Sequence, residues 1–125
     1  MKRAAVITAS NRAFNGVYED TSGQILLKGL KALGYQIDAV EVLPDDIEKI
    51  ASAIKSAIND GLDLVVTTGG TGISPFDVTP EATAPLIEKE MPGILEALRA
   101  YSRDKVPTTD LSRGAAGVTN KTLII

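Results

Sequence analysis

The chain has 125 residues, 44% of them apolar and 23% charged, with a net charge of −3 and a pI near 4.9. That is the composition of one folded domain with room for a hydrophobic core, and it argues against disorder and against broad attraction to nucleic acid. The absence of Cys and His excludes disulfides, thiolate metal sites, the common zinc sites and a Ser-His-Asp triad, so any catalysis must rest on carboxylates, hydroxyls, backbone N–H groups, Lys or Arg. No apolar run approaches the ~18 residues of a membrane span. Met1-Lys2-Arg3 leads directly into a strand-like run without a signal-peptide pattern, so a cytoplasmic location is expected.

Ala4–Thr8 is a short apolar, β-branched run and reads as a buried strand. A polar loop through Ser10-Asn11-Arg12 and Gly16 leads to Asp20 or Thr21, either of which can cap a helix. Ile25, Leu26, Leu30 and Leu33 are expected to form that helix's apolar face, with Gly34 ending it. Ile37, Ala39, Val40 and Val42 suggest a second strand, followed by the Leu43-Pro44-Asp45-Asp46 loop and a helix cap. Ile47, Ile50, Ala51, Ile54, Ala57 and Ile58 follow a 3.6-residue period up to Asn59-Asp60-Gly61. Asp63–Thr68 reads as a third strand.

Thr79-Pro80-Glu81 reads as a helix N-cap with Pro at the first helical position, the helix ending near Glu90. Pro92 restarts a helix carrying Ile94, Leu95, Leu98 and Tyr101, and Lys105–Asp110 reads as a loop. Ala115–Val118 and Thr122–Ile125 are expected to be two strands around Thr119-Asn120-Lys121. An apolar strand at Leu123-Ile124-Ile125 should lie in the core, and the natural chain is expected to continue beyond it.

The β-α-β-α-β order calls for a mainly parallel sheet with right-handed, Rossmann-like crossovers and helices on both faces. In such sheets ligands bind beyond the carboxyl ends of the strands. The loops after the first three strands should therefore meet at one edge.

The most informative of these loops is Thr67-Thr68-Gly69-Gly70-Thr71-Gly72, followed by Asp77. Three glycines within four residues after a strand permit positive φ and an anion nest of successive N–H groups, or else serve only a tight turn. The P-loop and the dinucleotide fingerprint both fail here, because Gly72 is followed by Ile73 and Ser74, and the third fingerprint glycine would fall on Pro75. Asp45 and Asp77 sit on the same predicted edge, where a pair of carboxylates beside phosphate oxygens suits Mg²⁺. Their ordinary alternatives are a helix cap for Asp45 or Asp46 and a local turn for Asp77. Ser112 and Arg113 form a further candidate pair, with Arg113 able to clamp an anion or merely to sit on the surface before a strand.

Thr67–Ala82 (TTGGTG-x₄-DVTPEA) resembles the signature of the molybdopterin-binding family of molybdenum-cofactor biosynthesis. Ser10–Gly23 (SNR-x₃-GVYEDTSG), Leu43–Asp46 (LPDD) and Leu111–Ile125 (LSRGAAG-x₄-TLII) resemble it too, in family order. The small single-domain adenylyltransferases of that family are the nearest in pattern. The resemblance implies a three-layer α/β/α sandwich over residues 1–125, a single domain lacking its C-terminal part, since family members continue with an L-P-G-x-P segment and another helix. It implies transfer of an adenylyl group from ATP to the terminal phosphate of molybdopterin, with Mg²⁺ and release of pyrophosphate.

Carried over by motif, Thr68, Gly69, Gly70, Thr71, Gly72 and Ser112 would bind molybdopterin or phosphate, with Asp20 and Ser22 contributing from the first loop. Asp77 and Asp45 would be catalytic and would hold the metal. A homotrimer is implied, with the molybdate-inserting enzyme of the same pathway as a protein partner. Many relatives carry Arg where this chain has Phe76 and Asp where it has Asn11. The competing readings are a molybdopterin-binding or delivery protein without transfer and, ranked last, a nucleotide pyrophosphatase.

Overall fold

A computed structural model describes residues 1–125. In chain order the elements are β1 (Ala4–Ala9), α1 (Asn11–Phe14), α2 (Thr21–Ala32), β2 (Val40–Leu43), α3 (Ile47–Asn59), β3 (Leu64–Thr68), α4 (Thr79–Thr83), β4 (Lys89–Glu90), α5 (Pro92–Ser102), β5 (Gly117–Thr119) and β6 (Thr122–Ile124). Short 3₁₀ turns cover Ala84–Leu86 and Pro107–Leu111.

Alternation along the central strands creates the layers, because successive strand side chains point to opposite faces. Ala4 and Val6 of β1 join Ile37 and Leu64 in one apolar cluster, over which Leu26, Leu27 and Leu30 of α2 pack. Ile7 and Ala9 of the same strand join Ile50, Ile54, Val65 and Ile124 in the other, which α3 and Ala82 of α4 cover. The sheet is therefore sandwiched between α2 and the α3–α4 pair. Its order is β2-β1-β3-β6-β5-β4. The strands β2, β1, β3 and β6 run parallel, β5 runs antiparallel to β6, and β4 runs antiparallel to β5. The expected α/β/α class with a mainly parallel sheet is the observed one.

Helix α3 follows its period. Ile50, Ile54, Ala57 and Ile58 are buried, while Ile47 in the first turn is exposed; Asp46 caps the N-terminus by accepting from Lys49 N–H, and Gly61 at φ +69° turns the chain away. The C-terminal hairpin turns at Asn120, which takes φ +53°. β6 lies in the core as expected, with Thr122 and Ile124 fully buried and Leu123 paired with Leu64.

Several expectations need correction. The second strand begins at Val40, so Ile37 and Ala39 precede it. Of the two candidate caps, Asp20 is the one that caps α2, but Ile25 and Leu33, expected on its packed face, are exposed while Leu27 takes a place there. Leu33 is the C-cap, so the helical period no longer sets its direction. The helix at Thr79 ends at Thr83 rather than near Glu90, because Pro85 lacks the N–H needed to continue it. Lys89–Glu90 instead pairs with Val118 and Gly117 at the far sheet edge. The cap of α4 is Val78, and Thr79 is a buried first-turn residue with work elsewhere. Finally, the strand expected from Ala115 begins at Gly117. No helix is long and apolar enough to cross a membrane.

Candidate functional site

Register brings three loops to one level. Ala9 of β1 lies opposite Leu43 of β2, and Thr8 lies opposite Thr68 of β3. The chain therefore leaves all three strands at the same height, and Ser10 N–H donates to the Leu43 carbonyl at 2.9 Å.

The glycine loop begins with two residues that only glycine suits. Gly69 has φ +88°, and a Cβ there would run into the Ala9 carbonyl. Gly70 has φ +69°, and its Cβ would strike the Thr79 hydroxyl and come within 3.2 Å of Asp45 Oδ1. Thr79 closes the turn by donating its hydroxyl to Gly69 O at 2.9 Å and its N–H to Gly70 O at 3.0 Å. Gly72 does not take positive φ; its glycine serves clearance, since a Cβ would stand 2.8 Å from Asp77 Oδ2. The backbone N–H groups of Gly69 through Ile73 find no acceptor within the protein.

The two acids have different surroundings. Asp45 pairs reciprocally with Asn11: Asn11 N–H donates to Asp45 Oδ2 at 3.1 Å, and Asp45 N–H donates to Asn11 Oδ1 at 2.9 Å. Its other oxygen, Oδ1, is buried against Gly70 without a hydrogen-bond partner. Because Asp46 makes the helix cap, Asp45 is left to the loop edge. Asp77 accepts from Ser74 N–H at 2.9 Å and returns its own N–H to Ser74 O at 3.0 Å, which ties the loop into a turn. No three acidic side chains meet in a metal-binding cluster.

These loops enclose a cavity of about 1120 Å³ that Gly69, Gly70, Asp45, Asp77, Asp20 and Ser22 all line. Asp20 is engaged there, accepting from Gly23 N–H and from the Thr8 hydroxyl, each at 3.0 Å. The Ser22 hydroxyl accepts from Thr68 at 3.2 Å. Thr68, Thr71 and Ser112 do not line this cavity. They line a smaller one of about 200 Å³, which shares only Gly69 with the first. Within it the Ser112 hydroxyl donates to Thr71 Oγ1 at 3.3 Å. The glycine loop is thus a wall between two depressions, and the sequence-derived set divides across it.

Arg113 is spent on this wall. Its guanidinium donates to Gly72 O and Asp77 O, both at 2.8 Å, and grips the Glu81 carboxylate at 2.8 and 3.2 Å. Its N–H donates to Thr71 O at 2.7 Å. The hydrogen bonds from Arg113 hold Glu81 below the usual carboxylate value, and those to Glu81 raise Arg113 further. Arg113 braces the loop instead of reaching into the cavity.

Arg12 is the single basic residue lining the large cavity, against Glu19, Asp20, Asp45 and Asp77. Sequence reasoning gave it no role, although it stands in the Ser10-Asn11-Arg12 segment. The Asn11–Asp45 pair joins positions 34 apart and has no local signal. The Arg113–Glu81 brace was open to inference only as opposite charges on two motif segments.

The family described as "Probable molybdopterin binding domain" matches residues 5–125. The chain is similar to the molybdopterin adenylyltransferase of Helicobacter pylori strain J99, 46% identical over 125 residues, covering 96% of this chain and 70% of that one. It is 34% identical over 123 residues to a molybdenum cofactor biosynthesis bifunctional protein of Chlorobaculum tepidum; 98% of this chain spans 39% of that protein's length. Among solved structures, the molybdopterin biosynthesis Mog protein from Mycobacterium ulcerans superposes with a TM-score of 0.93 at 40% identity, covering 100% of this chain and 82% of that one. With a family match from the first strand to Ile125 and a superposition that covers the whole chain, the chain belongs to the molybdopterin-binding family of molybdenum-cofactor biosynthesis.

Proposed function

We propose that this chain transfers the adenylyl group of ATP to the terminal phosphate of molybdopterin, releasing pyrophosphate. The observation that carries the reading is the run of unaccepted N–H groups from Gly69 to Ile73 beside the buried, unpartnered Oδ1 of Asp45. Donors for phosphoryl oxygens stand next to a buried carboxylate oxygen that has no hydrogen-bond partner. The names of relatives covering most of this chain support the same chemistry.

The reaction suits a chain without His. The attacking phosphate is already anionic and needs no base. Its oxygen forms a bond to the α-phosphorus while the bond to the bridging oxygen breaks, and pyrophosphate leaves with that electron pair. The protein's contribution is orientation and charge stabilisation. Gly69 and Gly70 present backbone to the larger cavity and Thr71 to the smaller, so the loop can hold oxygens on both sides. Arg12 offers a guanidinium to an anionic group at the mouth.

Asp45 through Oδ1, together with Asp77, would hold Mg²⁺. The fit rests on the orphaned oxygen and on the excess of acids over bases along the cavity, which opposes anionic substrates unless a cation accompanies them. Bound Mg²⁺ supplies neutralisation of charge on phosphoryl oxygens. The reading extends to a cytoplasmic homotrimer that passes its product to the molybdate-inserting enzyme. What supports assembly is α5, which buries no residue in the single chain.

The test is incubation with molybdopterin, ATP and Mg²⁺, followed by mass spectrometry of the pterin. Adenylyl-molybdopterin and stoichiometric pyrophosphate are expected. Tight molybdopterin binding without the adenylylated product would replace this reading with a binding or delivery protein.

A further inference from the structure

The chain has five aromatic residues, three Tyr and two Phe. None belongs to the buried core. Two of the rings lie against cations: Phe14 near Lys49 at 5.9 Å, and Tyr101 near Lys105 at 4.1 Å. Tyr18 and Phe76 have no such partner. Both line the large cavity, and they are 51% and 65% exposed.

Both rings are also tethered, Tyr18 through its hydroxyl and Phe76 through its backbone. The Tyr18 hydroxyl is 2.8 Å from Ser10 Oγ, and Ser10 itself caps α1 by accepting from Ala13 N–H at 3.2 Å. Phe76 occupies the tip of the Ser74–Asp77 turn. Its N–H donates to Ser74 Oγ at 3.1 Å, and the Asp77–Ser74 bonds close the turn on either side. An exposed ring that is already tethered loses little conformational freedom when a ligand covers it. The rest of the cavity wall is almost wholly polar or backbone, which offers nothing to the uncharged, planar end of a substrate.

We propose that Phe76, with Tyr18 from the loop after β1 lining the same cavity, is a stacking subsite for a flat heteroaromatic ring and sets the preference for substrates carrying one. This deepens the adenylyl-transfer reading and rests on it, because both substrates of that reaction bear such a ring, adenine in one and the pterin in the other. The phosphates then fall to the glycine loop and Arg12, and the ring to Phe76.

The chain contains no Trp, so Phe76→Trp installs a single indole reporter. Its emission is titrated with adenosine and, separately, with 6-hydroxymethylpterin, neither of which carries a phosphate. Saturable quenching by adenosine assigns the subsite to adenine, and by the pterin to the pterin ring. Quenching by neither, in a variant with wild-type thermal unfolding, overturns the proposal. Calorimetry of the quenching compound with Phe76→Leu should show a Kd raised about tenfold, the lower end of ring-stacking losses, because bulk is kept and the π-face removed. An unchanged Kd overturns stacking. Since these compounds cannot react, quenching that persists without adenylyl transfer would fault the catalytic reading alone.

Discussion

Asp77 touches the glycine loop at two points, through its Ser74 contacts and through its carboxylate against Gly72. Asp77→Asn keeps an oxygen for Ser74 N–H and removes only charge. Turnover should fall by at least about 100-fold, the scale of losing a transition-state electrostatic contact, with molybdopterin binding nearly unchanged. Single-turnover kinetics beside a binding titration check this, and wild-type turnover would remove Asp77 from the chemistry. Gly72→Val would act on the same group, because the new side chain would press on Asp77 Oδ2. Glu81 invites a pH test. Its folded-state value is depressed below 4.5 by the Arg113 hydrogen bonds, so its contribution is complete above the unfolded value and lost as pH falls through the folded one. The Tm gap between wild type and Glu81→Gln should be constant above about pH 5.5 and close progressively below about pH 4.5. A gap that persists at pH 2 would exclude the carboxylate as its source.

Among the elements, α3 carries most of one core layer. Ile54 is fully buried between Ile50 and Ile58 on the helix face that meets Ile7 and Val65. Ile54→Ala should cost about 2–5 kcal/mol in denaturant unfolding with an unchanged m-value. The same substitution at Ile25, 65% exposed on α2, should cost under about 1 kcal/mol. That contrast marks what was legible from sequence. The period of α3 spans more than three turns and is unambiguous, so its face could be read. In α2, Ile25 and Leu33 fit a helical stripe as well as Leu27 does, and only the position of the sheet decides among them. Gly69, Gly70, Gly72 and Asp77 could be grouped because they are close in sequence, and Asp45 only because the parallel strand order brings its loop to the same edge. The division of Thr71 and Ser112 from Asp45 was not legible, because it depends on which side of a folded wall each side chain falls. Likewise Thr79 has the pattern of an N-cap, but tertiary contact with Gly69 and Gly70 redirects its hydroxyl.

Taken whole, the molecule is unevenly packed. It exposes 7345 Å², against roughly 6,400 Å² expected for its mass. Exposed large apolar side chains include Leu98, Tyr101, Val106 and Leu111 within and after α5, a helix that buries no residue. The β1–β3–β6 centre and α3, by contrast, hold the residues of near-zero exposure. Hydrogen exchange should follow this division. Amides of Val6, Ile7, Val65 and Ile54 should exchange only through global unfolding, while those of 98–111 exchange through local opening at least about 100-fold faster. Uniform protection across both regions would show that α5 is held as firmly as the core.

The place of β6 has a consequence for how the chain is made. It is the sixth strand in sequence, yet it stands between β3 and β5 in the sheet. As the polypeptide emerges from the ribosome, β1, β2 and β3 can assemble with α2 and α3 around them, but the outer edge of β3 then stays open. Neither β4 nor β5 can close it, because both reach the sheet only through β6. For the time needed to synthesise residues 69–121, a nascent chain presents Leu64–Thr68 as a bare, apolar pairing edge. Chaperone dependence and aggregation should therefore be greatest for chains stalled within that window, and should fall sharply once Thr122–Ile124 has cleared the exit tunnel.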